Sequence, residues 1–174
     1  MKSNTFLVVV ALFLAGGAIS AAPTDDARFT FLKGLAGTWV GESDMPEHPG
    51  EMTIEFRLTA GGTAVEEREM AGTPMEMVTL YYMEGPDLMA THYCMLGNQP
   101  HFKAAKIATD GTLSFACNGK VGNTASHDEH HVHAFSMRLD KEGRLLYDAA
   151  MAESGKTVEG PSLVLTRSTE TATR

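Results

Sequence analysis

Two histidine-containing stretches hold the side chains of this 174-residue chain that are most capable of chemistry. The second stretch, residues 127–133, contains four histidines, and its His131 and His133 enter a strand-like segment. Imidazole and thiolate groups bind zinc, copper or iron, and they also form hydrogen bonds with organic ligands. These residue types indicate a site without naming its ligand. The first stretch, residues 91–100, contributes Tyr93 and the candidate ligand-binding residues His92, Cys94, Asn98 and Gln99.

The alternation of apolar residues in the segment 87–95 predicts where the first stretch points. Side chains on a strand alternate between its two faces, so every second residue shares a face. Leu88 and Ala90 mark one face as apolar and inward. His92 and Cys94 share that face, and we therefore expect both side chains inside the folded domain.

The same counting places the second stretch. Phe135, Met137 and Leu139 mark the buried face of the segment 131–140, and counting back by two brings His133 and His131 onto it. His92, Cys94, His131 and His133 would then point into one interior. Two histidines two residues apart on a strand form a usable ligand pair, so a metal site built from His92, His131 and His133 is one interpretation. The alternative is a solvated histidine-rich loop that merely begins a strand.

Further polar residues are expected at or near this interior. Tyr81 is a candidate hydrogen-bonding group of the cavity, whereas Asn98 and Gln99 first indicate a turn and only second a lining of the cavity mouth.

The segment 63–70 contains a run of charged residues, so at least one charge points inward whichever face of this strand is buried. An unpaired buried carboxylate is costly, and we expect a cationic partner such as Arg68 or Lys103. The charged run is Glu66, Glu67, Arg68 and Glu69.

The elements that must position these residues are predicted to be β-strands. Met52, Ile54, Phe56 and Leu58 alternate with polar residues, as in a strand with one buried and one wet face. Short connectors rich in Gly, Asn, Asp and Pro make sequential strands neighbours. We therefore predict one all-β domain, an antiparallel up-and-down barrel wide enough for a small ligand. Ten strands are predicted, at residues 38–42, 51–59, 63–70, 76–83, 87–95, 101–108, 112–117, 131–140, 144–151 and 161–167.

The N-terminal region predicts export. Lys2 precedes an apolar run and a small-residue segment, as in a cleaved signal peptide over residues 1–22. Residues 23–174 then form the barrel domain, which begins with a short helix carrying Phe29 and Leu32 that closes one barrel end. A periplasmic or secreted location follows.

The net charge indicates which classes of partner are disfavoured, and the positions of the two cysteines indicate whether they can form a disulfide. The chain has 14 basic and 22 acidic residues, a net charge of −8, which becomes −9 when Lys2 is removed with the signal peptide. No basic stripe favours nucleic acid, and an acidic surface does not favour stable association with anionic membranes. Cys94 and Cys117 lie two strands apart in the predicted order, too far for a disulfide, so free thiols are expected.

The motif Gly37-Thr38-Trp39, between a short helix and a first strand, resembles the start of lipocalins and related calycin barrels. In that superfamily the tryptophan closes the barrel floor beneath a basic residue of a late strand, and Arg167 is the matching position. Residues 77–81, 87–88, 91–94, 97–100 and 131–133 are also similar to exported bacterial lipocalin-like proteins of unassigned function. The resemblance implies the barrel fold and export, and calycin barrels mostly bind small apolar molecules or haem.

These observations lead to one main functional prediction and two alternatives. The main prediction is an exported, non-enzymatic barrel that binds a small apolar molecule. The first alternative is a metal- or haem-binding protein, with or without catalytic activity, that uses His92, His131 and His133. The second is an enzyme with His92 as general base, for which a perturbed histidine pKa is the distinguishing observation. Nucleophile elbows, phosphate loops and dinucleotide fingerprints do not occur. The oligomeric state stays open.

Overall fold

A computed structural model describes residues 26–43 and 49–169. The predicted signal peptide lies outside the described residues. The described part contains one α-helix, α1 (Ala27–Gly34), a short 3-10 turn at Ala60–Gly62, and ten strands. The strands are β1 (Gly37–Ser43), β2 (Gly50–Thr59), β3 (Ala64–Glu69), β4 (Met77–Glu84), β5 (Asp87–Tyr93), β6 (Gln99–Ala104), β7 (Leu113–Gly122), β8 (His131–Leu139), β9 (Leu145–Glu153) and β10 (Lys156–Arg167).

The strands form a closed antiparallel barrel in which each strand pairs with its sequence neighbours and β10 returns to pair with β1. The predicted ten-strand up-and-down barrel is therefore confirmed. Closure leaves no sheet edge exposed, which removes the usual site of strand-to-strand aggregation. Among the described residues, no helix combines the length and the apolar character needed to cross a membrane.

The barrel interior follows from the period-two pattern. In β2, Met52, Ile54 and Phe56 are fully buried, and each points into the hydrophobic core. The alternation does not extend to the ends of two strands, because Leu58 of β2 and Leu139 of β8 are 46% and 41% exposed although the pattern predicts both to be buried. The core thus occupies the middle of the barrel and one of its ends.

Helix α1 closes that end. The Asp26 carboxylate caps the helix by accepting hydrogen bonds from the backbone N–H groups of Arg28 and Phe29. The Trp39 ring is buried, and its Nε1–H donates to the Leu35 carbonyl oxygen over 2.8 Å. The Arg167 guanidinium lies 4.3 Å from the Trp39 ring centre and donates to the backbone carbonyls of Gly34, at the end of α1, and of Ala36, just after it. The packing of a late-strand cation on this tryptophan, implied by the resemblance, is present.

Strand β8 contains an irregularity that matters for the site. In its pairing with β9, Val132 lies opposite Met151, but Ala134 lies opposite Ala150. Two residues of β8 therefore span one residue of β9, as in a β-bulge with His133 as the extra residue. An extra residue reverses which side chains face the interior on the two sides of the bulge.

Candidate functional site

A pocket of about 540 Å³ lies at the barrel end away from α1. It is bordered by the connections that follow β3, β5 and β7, whereas α1 contacts Pro86 in the β4–β5 turn at the other end. Six methionines contribute to its wall, and such flexible, polarisable side chains adapt to ligands of varied shape. These are Met52, Met70, Met75, Met77, Met95 and Met151.

His92 presents an imidazole to this pocket. The residue is 5% exposed, its Nδ1 lies 2.8 Å from Thr79 Oγ1, and its buried Nε2 has no hydrogen-bond partner among the described residues. Burial lowers the pKa of His92 to about 4, so the ring is neutral at pH 7. The perturbed pKa required of a general base is therefore present, but a base this weak accepts a proton poorly at neutral pH. A neutral imidazole is well suited to hydrogen bonding with a ligand.

Cys94 lies beside His92 on the pocket wall, as the alternation predicts. Its Sγ is 4.0 Å from Met77 Sδ, and burial raises the pKa of the thiol, which keeps it protonated. Both cysteines are free, and both are half-buried. Cys94 is thus part of an apolar, sulfur-rich wall rather than an activated nucleophile.

A pair of buried carboxyl groups lies beneath the pocket. Glu67 is fully buried and Glu69 is 8% exposed, and the Tyr81 hydroxyl donates a hydrogen bond to Glu67 Oε2. Burial and the neighbouring Glu69 raise the pKa of Glu67 well above its usual range, and burial raises that of Glu69 to about 7. Glu69 and Tyr147 reach the pocket surface. At neutral pH the pair therefore retains at least one proton.

The expected cationic partner of this pair is absent from the described residues, so that prediction was wrong. Arg57 and Arg68 both bind Glu66, with Nε to Oε1 distances of 3.0 and 2.7 Å, on the opposite face of β3. Lys103 pairs instead with Asp87 over 2.7 Å. Glu67 avoids an unpaired charge by staying protonated beside phenol hydroxyls, since burial disfavours the ionised form.

Tyr81, Asn98 and Gln99 do not line the pocket. Tyr81 is fully buried below it, where its hydroxyl serves Glu67. The Asn98 side chain is buried in the β5–β6 connection, and its Nδ2 donates to the His130 carbonyl oxygen over 2.8 Å. The Gln99 Nε2 donates to the Gly97 carbonyl oxygen over 3.1 Å. The Gln99 amide thus stays within its own turn, whereas the Asn98 amide fastens that turn to the β7–β8 connection, so both make structural contacts, which was the first interpretation of them.

His131 and His133 do not share the pocket wall with His92 either. The bulge in β8 makes His130 and Val132 the lining residues before it, while Phe135 lines the pocket after it. The counting that joined His131 and His133 to Phe135 on one face was therefore wrong by one residue. The metal set His92, His131 and His133 is not brought together as the sequence indicated.

The structure groups His131 with two other residues instead. One potential ligand atom from each of Cys117, His127 and His131 lies within 4.8 Å of the others. Cys117 Sγ is 3.5 Å from His127 Nε2, and the His127 and His131 rings meet edge to face with centres 4.9 Å apart. The His133 ring centre is 5.8 Å from that of His131. This group, the Cys117 cluster, contains donors suited to soft and borderline metals.

Sequence reasoning missed Glu67, Glu69 and Tyr147 as a unit, and it did not connect Cys117 with His127. Only the carboxyl pair could have been recognised in the sequence, because residues 67 and 69 lie on the same strand face whichever face of β3 points inward. The contact of Tyr147 with this pair depends on the closure of the barrel, and the contact of Cys117 with His127 depends on the path of the β7–β8 connection.

The chain matches no protein-family model. It also shows no significant similarity to a curated protein.

Proposed function

We propose that this protein is a binding protein of lipocalin-like type that holds a small, largely apolar molecule in the barrel pocket. The observation that supports this is the methionine-rich pocket of about 540 Å³ with a few polar groups at defined positions. Pockets of this size and character are typical of small-molecule sites. The predicted export would place the protein in the periplasm or outside the cell.

The polar groups of the pocket indicate the kind of ligand. Its ionisable lining residues are Glu69, Glu159, His92, His130, Cys94 and Tyr147, and among the described residues no lysine or arginine contributes to the lining. Glu69 titrates near pH 7 and His92 is neutral there. A ligand carboxylate or sulfate would find no counter-charge, whereas a hydroxyl or amine could donate to Glu69. The ligand is therefore an apolar molecule with a neutral or basic polar end.

Two fluorescent dyes with the same apolar body test this proposal. Phenylnaphthylamine is neutral, and anilinonaphthalene sulfonate adds one negative charge to the same rings. We expect the neutral dye to bind with enhanced fluorescence and the sulfonate to bind more weakly, because the described residues that line the pocket include carboxyl groups and no lysine or arginine. Native mass spectrometry of the exported protein would report a bound ligand directly.

A matched pair of variants shows whether the dye enters the barrel. Ala149 lines the pocket and Ala150 follows it on the other face of β9. Ala149→Phe should weaken dye binding about ten-fold, equivalent to losing the burial of roughly 60 Å² of apolar surface. Ala150→Phe should leave it unchanged. Absence of both dye binding and a co-purified ligand, or equal effects of the two variants, would overturn the proposal.

A further inference from the structure

We propose that Cys117, His127 and His131 form a zinc-binding site that fastens the β7–β8 connection to the barrel. This site uses none of the pocket-lining side chains, so it does not depend on the proposed ligand-binding function.

The spacing of the donors already approaches that of a tetrahedral site. Zinc binds thiolate sulfur at about 2.3 Å and imidazole nitrogen at about 2.0–2.1 Å, which at tetrahedral angles separates the two donors by roughly 3.6 Å. Cys117 Sγ and His127 Nε2 are 3.5 Å apart. All three donors lie within 4.8 Å of one another, so a modest side-chain adjustment of His131 or His127 completes the triangle.

The protonation pattern of His131 favours a metal ligand. Its Nδ1 lies 2.7 Å from the Glu129 carbonyl oxygen, which can only accept, so in the neutral ring Nδ1 carries the hydrogen. Nε2 then carries the lone pair, and this buried atom has no hydrogen-bond partner among the described residues. Metal-binding histidines ordinarily donate their second ring N–H to a carbonyl or carboxylate in this way. An orphaned lone pair is otherwise a cost to the fold.

Three protein donors leave a fourth coordination position. Water fills it in sites with three protein ligands, and His133 supplies a further imidazole nearby. The Nδ1 atom of His133 is also buried without a hydrogen-bond partner among the described residues. His131 of the cluster and the neighbouring His133 thus each carry a buried imidazole nitrogen that has no hydrogen-bond partner among the described residues.

A bound ion would have a structural consequence for the pocket. Cys117 belongs to β7, His131 opens β8, and His127 lies on the connection between these strands. His130 of the same connection lines the pocket, and its carbonyl oxygen accepts a hydrogen bond from Asn98. Zinc would hold this connection against the barrel and so fix one side of the pocket mouth.

Cobalt substitution tests the site in the whole exported protein. After removal of metal with a chelator under reducing conditions, Co²⁺ should bind one ion per chain, give a thiolate-to-cobalt charge-transfer band, and be displaced by Zn²⁺. Cys117→Ser should abolish this band and weaken zinc binding at least roughly 100-fold. His127→Ala should weaken it similarly, and because His127 is exposed, this variant tests the site without disturbing the core.

Cys94→Ser and His101→Ala are the matched controls, because they remove the other thiol and a histidine outside the cluster. Both should retain the charge-transfer band. Failure of the native protein to give the band, or a band that survives Cys117→Ser, would overturn the site. A band lost equally in Cys94→Ser would place the thiolate ligand elsewhere and overturn it too. Dye binding measured on the native protein and on Cys117→Ser, which leaves the pocket lining intact, separates this outcome from any failure of the proposed pocket.

Discussion

The two ends of the barrel satisfy their polar groups in different ways. At the α1 end, the indole N–H of Trp39 and the guanidinium of Arg167 both donate to backbone carbonyls. At the pocket end, buried atoms of His92, Asn98, His131 and His133 have no hydrogen-bond partner among the described residues. Unpartnered buried groups each cost roughly 1–3 kcal/mol. The first end is thus arranged for stability, and the second gives up stability for groups available to bind something.

The largest predicted change in the free energy of unfolding concerns Trp39, and it tests whether the α1 end contributes most to stability. Trp39→Ala empties a fully buried position beneath Arg167 and should lower the free energy of unfolding by about 3–5 kcal/mol. Trp39 is the single tryptophan of the chain, so unfolding in urea is best followed by circular dichroism.

Met95→Ala is the matched truncation at the pocket end. Met95 is 46% exposed, and its loss should cost less than about 1 kcal/mol. If both variants were equally destabilised, the assignment of stability to the α1 end would be wrong.

A smaller effect should appear in the pH dependence of stability. The pKa of Glu69 is about 7 in the folded protein, above its ordinary value of 4.5. Below pH 4.5 Glu69 is protonated in both the folded and the unfolded protein, and its contribution to the free energy of unfolding is fully present. As pH rises towards 7, Glu69 ionises first in the unfolded chain, so the free energy of unfolding falls. The loss amounts to about 3 kcal/mol. Glu69→Gln should remove it, so urea titrations from pH 4.5 to 8 should show the variant gaining on wild type.

Glu66→Gln is the control for this titration. Hydrogen bonding to Arg57 lowers the pKa of Glu66, so its contribution is present at neutral pH and disappears as pH falls through the folded pKa. Urea titrations extended below pH 4.5 should therefore show the two variants differing from wild type in opposite directions with pH, and between pH 4.5 and 8 the difference between Glu66→Gln and wild type should stay nearly constant. A Glu69→Gln variant that loses stability relative to wild type as pH rises would contradict the buried acid pair.

The smallest effect concerns the Thr79–His92 contact. Replacing Thr79 with Val and His92 with Leu together removes both partners, and the free energy of unfolding should change by less than about 1 kcal/mol. Thr79→Val alone leaves the His92 ring without its partner and should cost about 1–3 kcal/mol. Urea denaturation of both variants checks this, and a double variant as unstable as Trp39→Ala would make His92 a structural residue.

The fold could be predicted well because its signals are local. Alternation in β2, the short turns and the position of Trp39 after a short helix each depend on a few neighbouring residues. The inward direction of His92 and Cys94 could be read in the same way, since β5 is regular up to that point. In each case tertiary contacts agreed with the local pattern.

The site was less predictable because its signals are not local. Glu67 meets Tyr147 only because the barrel closes, which brings β3 across from β9. The bulge at His133 follows no Gly or Pro that would announce it, so the alternation was carried through β8 unchanged. Cys117 and His127 come together through the course of residues 123–130, which no periodic pattern describes.

The single extra residue in β8 also has an evolutionary consequence. Because His133 is the extra residue, a chain without it would pair regularly with β9 and keep Val132 and His131 on their present faces. A β8 of the same length without the bulge would instead carry His131 on the face that Val132 now presents to the pocket. The position of a bulge, rather than a change of residue type, is thus a route by which such a barrel could trade a ligand pocket for a metal-lined one.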